Sequence, residues 1–220
     1  MITLLRIWTI IILVSNGYFG FAQDIQWKKA DLGNSATIEF PEQATKKETK
    51  GQQVYVLDNG KALYIAFAQA EAFDINPDSV ELNKFYDGVI RGTLESAGGG
   101  AVIKKSSFMV DGFIGMEIQF TTPNKPNLPE VKFLRSVLVN GTLYNQNFWT
   151  SAEQAQALSA DRNRFFSSFK PGAKKSDSSE IESSSAYKSG KLMGTLAFYS
   201  ALAVAAIAVV RRLRKPKQVS

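Results

Sequence analysis

Two serine–lysine pairs in this chain have a spacing that could support catalysis. Ser167 and Lys170, and likewise Ser185 and Lys188, stand three residues apart. At this spacing a desolvated lysine amine can activate a serine nucleophile. The chain contains twenty serines and eighteen lysines, so one or two such matches arise by chance. We therefore expect neither pair to be catalytic.

Carboxylates and glycines give two further signals, and both have a simpler structural explanation. Asp74 and Asp78 could form an acid–base pair, but they flank the predicted start of a helix, where carboxylates complement free backbone amides. Gly98, Gly99 and Gly100 lack both the G-x-G-x-x-G spacing and the following helix of a phosphate-binding loop. We expect no catalytic, metal-binding or cofactor-binding residue.

The composition excludes several classes of site. The 220 residues include no cysteine and no histidine. Their absence excludes zinc sites built from these residues, Ser-His-Asp catalysis and Cys-His catalysis. We therefore expect that the protein is not an enzyme; the alternative is an envelope enzyme, either a carboxylate-based hydrolase or a ligand-handling enzyme.

The positive charge is concentrated outside the middle of the chain. The net charge is +6, yet residues 23–172 contain twelve lysines and four arginines against seventeen acidic residues, which gives −1. Five basic residues follow position 210. A nearly neutral domain has no long-range field that attracts phosphates, so we expect no nucleic-acid partner.

Residues 1–22 resemble a secretory signal peptide. Arg6 supplies the positive charge, residues 7–14 the apolar run, and Gly20 and Ala22 the small residues before a cleavage site. An uncleaved membrane anchor is the alternative for this segment.

The C-terminal region predicts a membrane anchor. Residues 173–191 are rich in serine and mixed in charge, which predicts a flexible linker. Residues 192–210 contain no charged residue and are long enough to cross a bilayer as a transmembrane helix. The basic tail, residues 211–220, then indicates a cytoplasmic C terminus. The alternative is a sorting tail that is removed by processing.

A stripe of small residues lies within that predicted helix. Ala197, Ala201 and Ala205 recur at four-residue spacing, which can let two membrane helices approach closely and self-associate. The high alanine content of this segment also produces such spacings without any function.

Residues 23–172 predict one α+β domain with a mainly antiparallel sheet of about six to seven strands and two packed helices. Asn-Gly and Asp-Gly pairs join several strands in tight turns. The first helix opens at Asp78 and ends at Gly98, and the second runs from Thr150 to Phe169. The predicted strands are 36–40, 54–57, 62–70, 101–110, 113–121, 131–139 and 142–149.

Three further features bear on binding or on the core. The loop Pro123–Pro129 contains three prolines and is a candidate partner contact, although prolines also serve to limit loop entropy. The Asn-Gly-Thr sequence at Asn140 matches a glycosylation acceptor, but we interpret it as a hairpin turn. Tyr144 and Trp149 fall on opposite faces of their strand, so at least one of them belongs to the core.

The order of these elements resembles the PsbP-like group, which includes the DcrB-type periplasmic proteins of bacteria. The resemblance covers about residues 26–170. It implies an α/β/α sandwich and an accessory or binding role without chemistry. One departure is the absence of the N-terminal lipid-bearing cysteine that many bacterial members have. The residues that carry the resemblance are Trp27, Phe40-Pro41, Gly141-Thr142-Leu143-Tyr144 and Phe165–Phe169.

These features together predict a non-catalytic binding or accessory module of a bacterial envelope. It would be a single-pass protein of the cell membrane, anchored by its C-terminal helix. The bulk of the chain would be periplasmic, the C terminus cytoplasmic, and the partner another envelope protein.

Overall fold

A seven-stranded sheet forms the centre of the computed structural model, which describes residues 26–49, 52–70, 79–122, 128–172 and 183–214. The predicted signal peptide, residues 1–22, lies outside the described residues. In the described part, the strands are β1 (Lys28–Gly33), β2 (Ala36–Phe40), β3 (Thr45–Thr49), β4 (Gln52–Asp58), β5 (Ala62–Gln69), β6 (Ala101–Val110), β7 (Phe113–Thr121), β8 (Val131–Val139) and β9 (Thr142–Thr150). The helices are α1 (Ser79–Ser96), α2 (Ser159–Ser167) and α3 (Ser183–Arg214).

The sheet has the strand order β3-β4-β5-β9-β8-β7-β6, and all neighbouring strands are antiparallel. Strands β1 and β2 form a separate antiparallel hairpin. The predicted α+β architecture with a mainly antiparallel sheet is therefore confirmed. The sequence does not predict β1 or β3, because these short strands are largely polar and contain no apolar run.

The predicted tight turns are present between β6 and β7 and between β8 and β9. Asp111 and Gly112 have φ angles of 45° and 85°, and Asn140 and Gly141 have φ angles of 45° and 78°. Positive φ at both central residues is typical of the type I′ turn, which matches the twist of the flanking strands. The Asn140 sequence is thus a hairpin turn, as predicted.

One face of the sheet is covered by the β1–β2 hairpin and by α2. Phe165 of α2 lies at the centre of this layer. Its ring centroid is 5.2 Å from that of Phe40 on β2 and 5.3 Å from that of Tyr64 on β5. These aromatic contacts join the hairpin, the helix and the sheet into one hydrophobic core.

The opposite face is covered by α1 and α3. Phe85 and Val89 of α1 pack over β7 and β8, and Phe198 of α3 packs over β4, β5 and Trp149. Tyr144 and Trp149 are both buried on opposite faces of β9. With helices on both faces of the sheet, the structure has the sandwich arrangement that the resemblance implied.

Helices α1 and α3 approach each other through pairs of glycines. Gly88 and Gly92 on α1 face the backbone of α3, and Gly190 and Gly194 on α3 face the backbone of α1. A methyl group at Gly194 would overlap the carbonyl oxygen of Val89. The two backbones can lie this close only because none of these four positions carries a side chain.

No helix in the described part of the chain is long and apolar enough to cross a membrane. The transmembrane helix predicted over 192–210 is therefore wrong. The predicted membrane anchor and the single-pass localisation, with a periplasmic domain and a cytoplasmic C terminus, are also wrong. The physical reason is that three apolar residues of α3, Ala197, Phe198 and Ala201, are buried against the sheet. The stripe predicted for self-association thus packs within the chain at Ala197 and Ala201, and the side chain of Ala205 lies outside the described residues.

Two further boundaries differ from the sequence predictions. Residues 183–191, predicted as part of a flexible linker, form the first turns of α3. Helix α2 begins at Ser159 instead of Thr150. Thr150 belongs to β9, where its hydroxyl donates to the carbonyl oxygen of Lys61 at 2.9 Å. Strand pairing with β5 thus prevents Thr150 from capping a helix.

The Gly194→Ala variant tests the contact between α1 and α3. Alanine favours a helix over glycine by about 1 kcal/mol, but its methyl group would overlap Val89. We expect a net destabilisation of about 1–3 kcal/mol, as for other overpacked sites. Chemical denaturation of the full chain measures it, with Lys188→Ala on the exposed side of α3 as the control. A Gly194→Ala variant that is more stable than wild type would contradict the contact.

Candidate binding surface

The serine–lysine pairs do not form nucleophile–base sites in the described residues. The Ser167 hydroxyl donates to the carbonyl oxygen of Arg164 at 3.2 Å, one helical turn back. The backbone of Lys170 pairs with Thr37, and its side chain is exposed. Lys188 is exposed on α3, and the side chain of Ser185 lies outside the described residues.

Of the carboxylate and glycine signals, only the glycines fall within the described residues. Asp74 and Asp78 lie outside the described residues. Gly98 has a φ angle of +82°, and the amide of Gly99 donates to the carbonyl oxygen of Leu94 at 2.9 Å. This is the helix-ending role that the glycines were predicted to have. In the described ranges, no three acidic side chains are grouped so that they could hold a metal ion.

A cleft of about 380 Å³ lies beside the proline-containing loop. Residues 123–127 of this loop are outside the described part of the chain, whereas Leu128 and Pro129 form one wall of the cleft. The carboxylates at its rim bind backbone amides: Asp58 accepts from Gly60 at 2.9 Å, and Glu130 accepts from Ala152 at 3.2 Å. These carboxylates stabilise the walls of the cleft.

Lys132 holds the two ends of this loop together. Its side chain is only 1% exposed. The ammonium group donates to the carbonyl oxygen of Pro129 at 2.6 Å and to the Thr122 hydroxyl at 2.9 Å. It also lies 5.5 Å from the ring centroid of Trp149. A buried ammonium needs such acceptors, so the conformation of the loop ends is coupled to the sheet.

Strand β6 forms an exposed edge of the sheet. It is ten residues long and pairs with β7 on one side, and no described strand pairs with its other side. Three of its apolar side chains are accessible: Val102 is 36% exposed, Ile103 57% and Met109 71%. An edge of this kind presents backbone groups and apolar side chains to a partner.

A cluster of arginines and aromatic rings lies next to this edge. Arg135 of β8 donates to Glu117 Oε2 from Nε at 2.9 Å and from Nη2 at 2.6 Å. Its guanidinium carbon is 4.3 Å from the ring centroid of Phe108 and 4.9 Å from that of Phe166. The rings fix the guanidinium group between β6 and α2.

Arg162 of α2 lies in the same cluster without an acidic partner among the described residues. Its guanidinium carbon is 4.2 Å from the ring centroid of Phe133. Burial lowers the pKa of Arg162, while Glu117 raises this pKa and Arg135 lowers it. The two neighbouring charges thus oppose each other, and burial disfavours the charged form of Arg162.

These basic residues are not predicted from the sequence, although two of them, Lys132 and Arg135, carry a signal. Strand β8 is apolar on both faces, so a lysine and an arginine within it, Lys132 and Arg135, must each have partners inside the fold. The cluster with Arg162 joins β6, β8 and α2, and nothing local in the sequence indicates that they meet.

Removing the buried ammonium of Lys132 should loosen the proline-containing loop. In Lys132→Met, the Pro129 carbonyl and the Thr122 hydroxyl lose their donor at an estimated cost of about 1–3 kcal/mol each. We expect lower stability and faster proteolysis within residues 123–128, measured by denaturation and by mass spectrometry of the fragments. Thr122→Val removes only one of the acceptors and should have a smaller effect. Wild-type cleavage rates in Lys132→Met would contradict this role.

Comparisons with known proteins identify the fold. No family model and no curated protein matches the chain. The chain is similar to the solution structure of cyanobacterial PsbP (CyanoP) from Synechocystis sp. PCC 6803, with a TM-score of 0.52 and 12% identity over 68% of this chain and 95% of the other. A protein of unknown function, PA94 from Pseudomonas aeruginosa, aligns with a TM-score of 0.38 and 14% identity over 62% of this chain and 91% of the other. The chain therefore has a PsbP-like fold, as its sequence resemblance indicated.

Proposed function

We propose that the domain is a non-catalytic binding module that takes up an extended segment of another protein along β6. The observation that carries the proposal is the long edge of β6, with apolar side chains exposed and no described strand beside it. Adding a strand to such an edge is a common mode of peptide recognition, because backbone hydrogen bonds provide affinity and alternate side chains provide specificity.

The two edges of the sheet differ in a way that favours β6. The opposite edge, β3, has five residues, Thr-Lys-Lys-Glu-Thr, and its charges are typical of an edge protected against pairing. Strand β6 is twice as long and keeps Ile103 and Met109 more than half exposed. Only β6 combines length with an accessible apolar surface.

The charge on β6 selects the kind of partner. Lys104 and Lys105 are its charged residues. Lys105 pairs with Asp87 of α1 at 2.6 Å, whereas Lys104 has no acidic partner among the described residues. Strand β6 contains no acidic residue, so a second copy of β6 would offer Lys104 no counter-charge. An acidic segment of a different protein is attracted instead.

The fold supports a role without chemistry. The PsbP-like resemblance of the sequence implies an accessory or binding function, and the Ser167 hydroxyl donates to the carbonyl oxygen of Arg164 in its own helix. The alternative, a carboxylate-based hydrolase, would need free acidic groups in a deep pocket. In the 380 Å³ cleft, Asp58 and Glu130 are instead bonded to backbone amides.

The backbone groups that point outward can be assigned from the turn. Val110 and Phe113 close a two-residue turn, and such a closing pair exchanges both backbone hydrogen bonds. Along an antiparallel strand, every second residue bonds to the same neighbour. The backbone groups of Phe108 and Ser106 therefore bond to β7, while those of Met109 and Ser107 point to the free edge. Proline at position 107 therefore removes an outward N–H and leaves the ladder with β7 intact.

The Ser107→Pro variant tests strand addition. The probe is a capped nine-residue peptide of alternating threonine and valine with a central glutamate, titrated into the full chain. In wild type, we expect saturable NMR shifts of the β6 amides and contacts between peptide and β6 protons. Ser107→Pro should weaken binding about tenfold or more, because proline blocks edge pairing, whereas Ser107→Ala should bind like wild type. Unchanged β6 amides at millimolar peptide, equal binding by Ser107→Pro, or a concentration-dependent dimer through β6 would each overturn the proposal.

A further inference from the structure

A small polar cleft adjoins the face of β6 that packs toward α2. Its volume is about 90 Å³. Alternate residues of β6 and β7 and one side chain each from β8 and α2 form its walls. The lining residues are Lys104, Ser106, Glu117, Gln119, Phe133 and Arg162.

The one carboxylate in the cleft is already neutralised. Glu117 accepts both hydrogen bonds of Arg135, and this pair is partly buried, with about a fifth to a quarter of each side chain exposed (20% and 25%). Phe108 and Phe166 hold the guanidinium group of Arg135 in place. The hydrogen bonds of Glu117 therefore go to Arg135, and Glu117 acts on Arg162 through its charge alone.

Two cations around the cleft, Arg162 and Lys104, form no ion pair with any described residue. Arg162 donates from Nη2 to the side-chain oxygen of Asn163 at 3.2 Å, which is an exposed and neutral partner. The Arg162 Nε is buried and has no described hydrogen-bond partner. Lys104 supplies a second ammonium group from β6. A carboxylate that enters the cleft would be attracted by both of these cations.

We propose that this cleft binds a carboxylate, an aspartate or glutamate side chain on the segment that pairs with β6. The inference rests on the proposed strand addition, because Lys104 and Ser106 lie on the same face of β6 and an added strand places alternate side chains on that face. A carboxylate there would lie beside the guanidinium group of Arg162 and the ammonium group of Lys104. Charge-assisted hydrogen bonds of this kind are among the stronger ones in proteins.

A peptide pair and two arginine variants test the cleft. The first peptide is the nine-residue probe with a central glutamate, and the second carries glutamine in its place. We expect the glutamate peptide to bind the wild-type full chain about fivefold more tightly, as one charge-assisted contact allows, and to shift the Arg162 Nε–H resonance. In Arg162→Gln this preference should disappear while the β6 amides still respond to both peptides.

Matched controls separate the possible outcomes. Arg164→Gln removes the same charge two residues away, where the guanidinium lies on the Trp27 ring, and should keep the glutamate preference. Arg162→Lys keeps the positive charge and should retain part of the glutamate preference. This variant checks that the lost preference in Arg162→Gln does not reflect unfolding. If both peptides bind wild type equally and both shift the β6 amides, the carboxylate site is wrong but strand addition is not. If β6 responds to neither peptide, strand addition itself is wrong. Acetate or inorganic phosphate that shifts Arg162 Nε–H at lower concentration than the glutamate peptide would overturn a side chain as the occupant.

Discussion

Strand β9, Thr142–Thr150, is buried along its whole length, and the rest of the fold follows from the need to cover it on both faces. The buried polar residues of β9 also need hydrogen-bond partners from particular neighbouring elements. Asn145 accepts from the Ser136 hydroxyl at 2.6 Å and donates to Gln69 Oε1 at 2.9 Å, and the Gln69 amide in turn donates to the backbone carbonyl of Met193 on α3 at 3.4 Å. Without α3, this buried network would lose its last acceptor and the apolar face of the sheet would be exposed.

The central strand β9 is covered on both faces, so the edges of the sheet are the places where the domain can extend. The β3 edge is short and charged, whereas the β6 edge is long, accessible and next to the arginine cluster. The aromatic rings that fix Arg135 belong to β6 and α2, so the edge is supported by the core and not by a loop. A rigid edge that keeps uncompensated cations is suited to recognise an acidic, extended segment without a large change in shape.

Local patterns predict much of this fold, and tertiary contacts account for what they miss. Alternating apolar residues and Asn-Gly or Asp-Gly turns suffice for β6 to β9, since register and turn chemistry are local. Hydropathy cannot distinguish a helix covered by lipid from one covered by protein, so α3 is predicted as a membrane span although Ala197 and Phe198 pack on the sheet. The cluster of Arg135 and Arg162 is also unpredictable, because it joins three elements far apart in the chain.

Amide hydrogen exchange of the full chain, resolved by residue with NMR, tests whether β6 is a free edge of the sheet. We expect alternation along β6: the amides of Ser106 and Phe108 are protected by β7, whereas those of Ser107 and Met109 exchange at nearly the rate of an open chain. Equal and strong protection of all four amides would show that the edge is already occupied and would contradict the account.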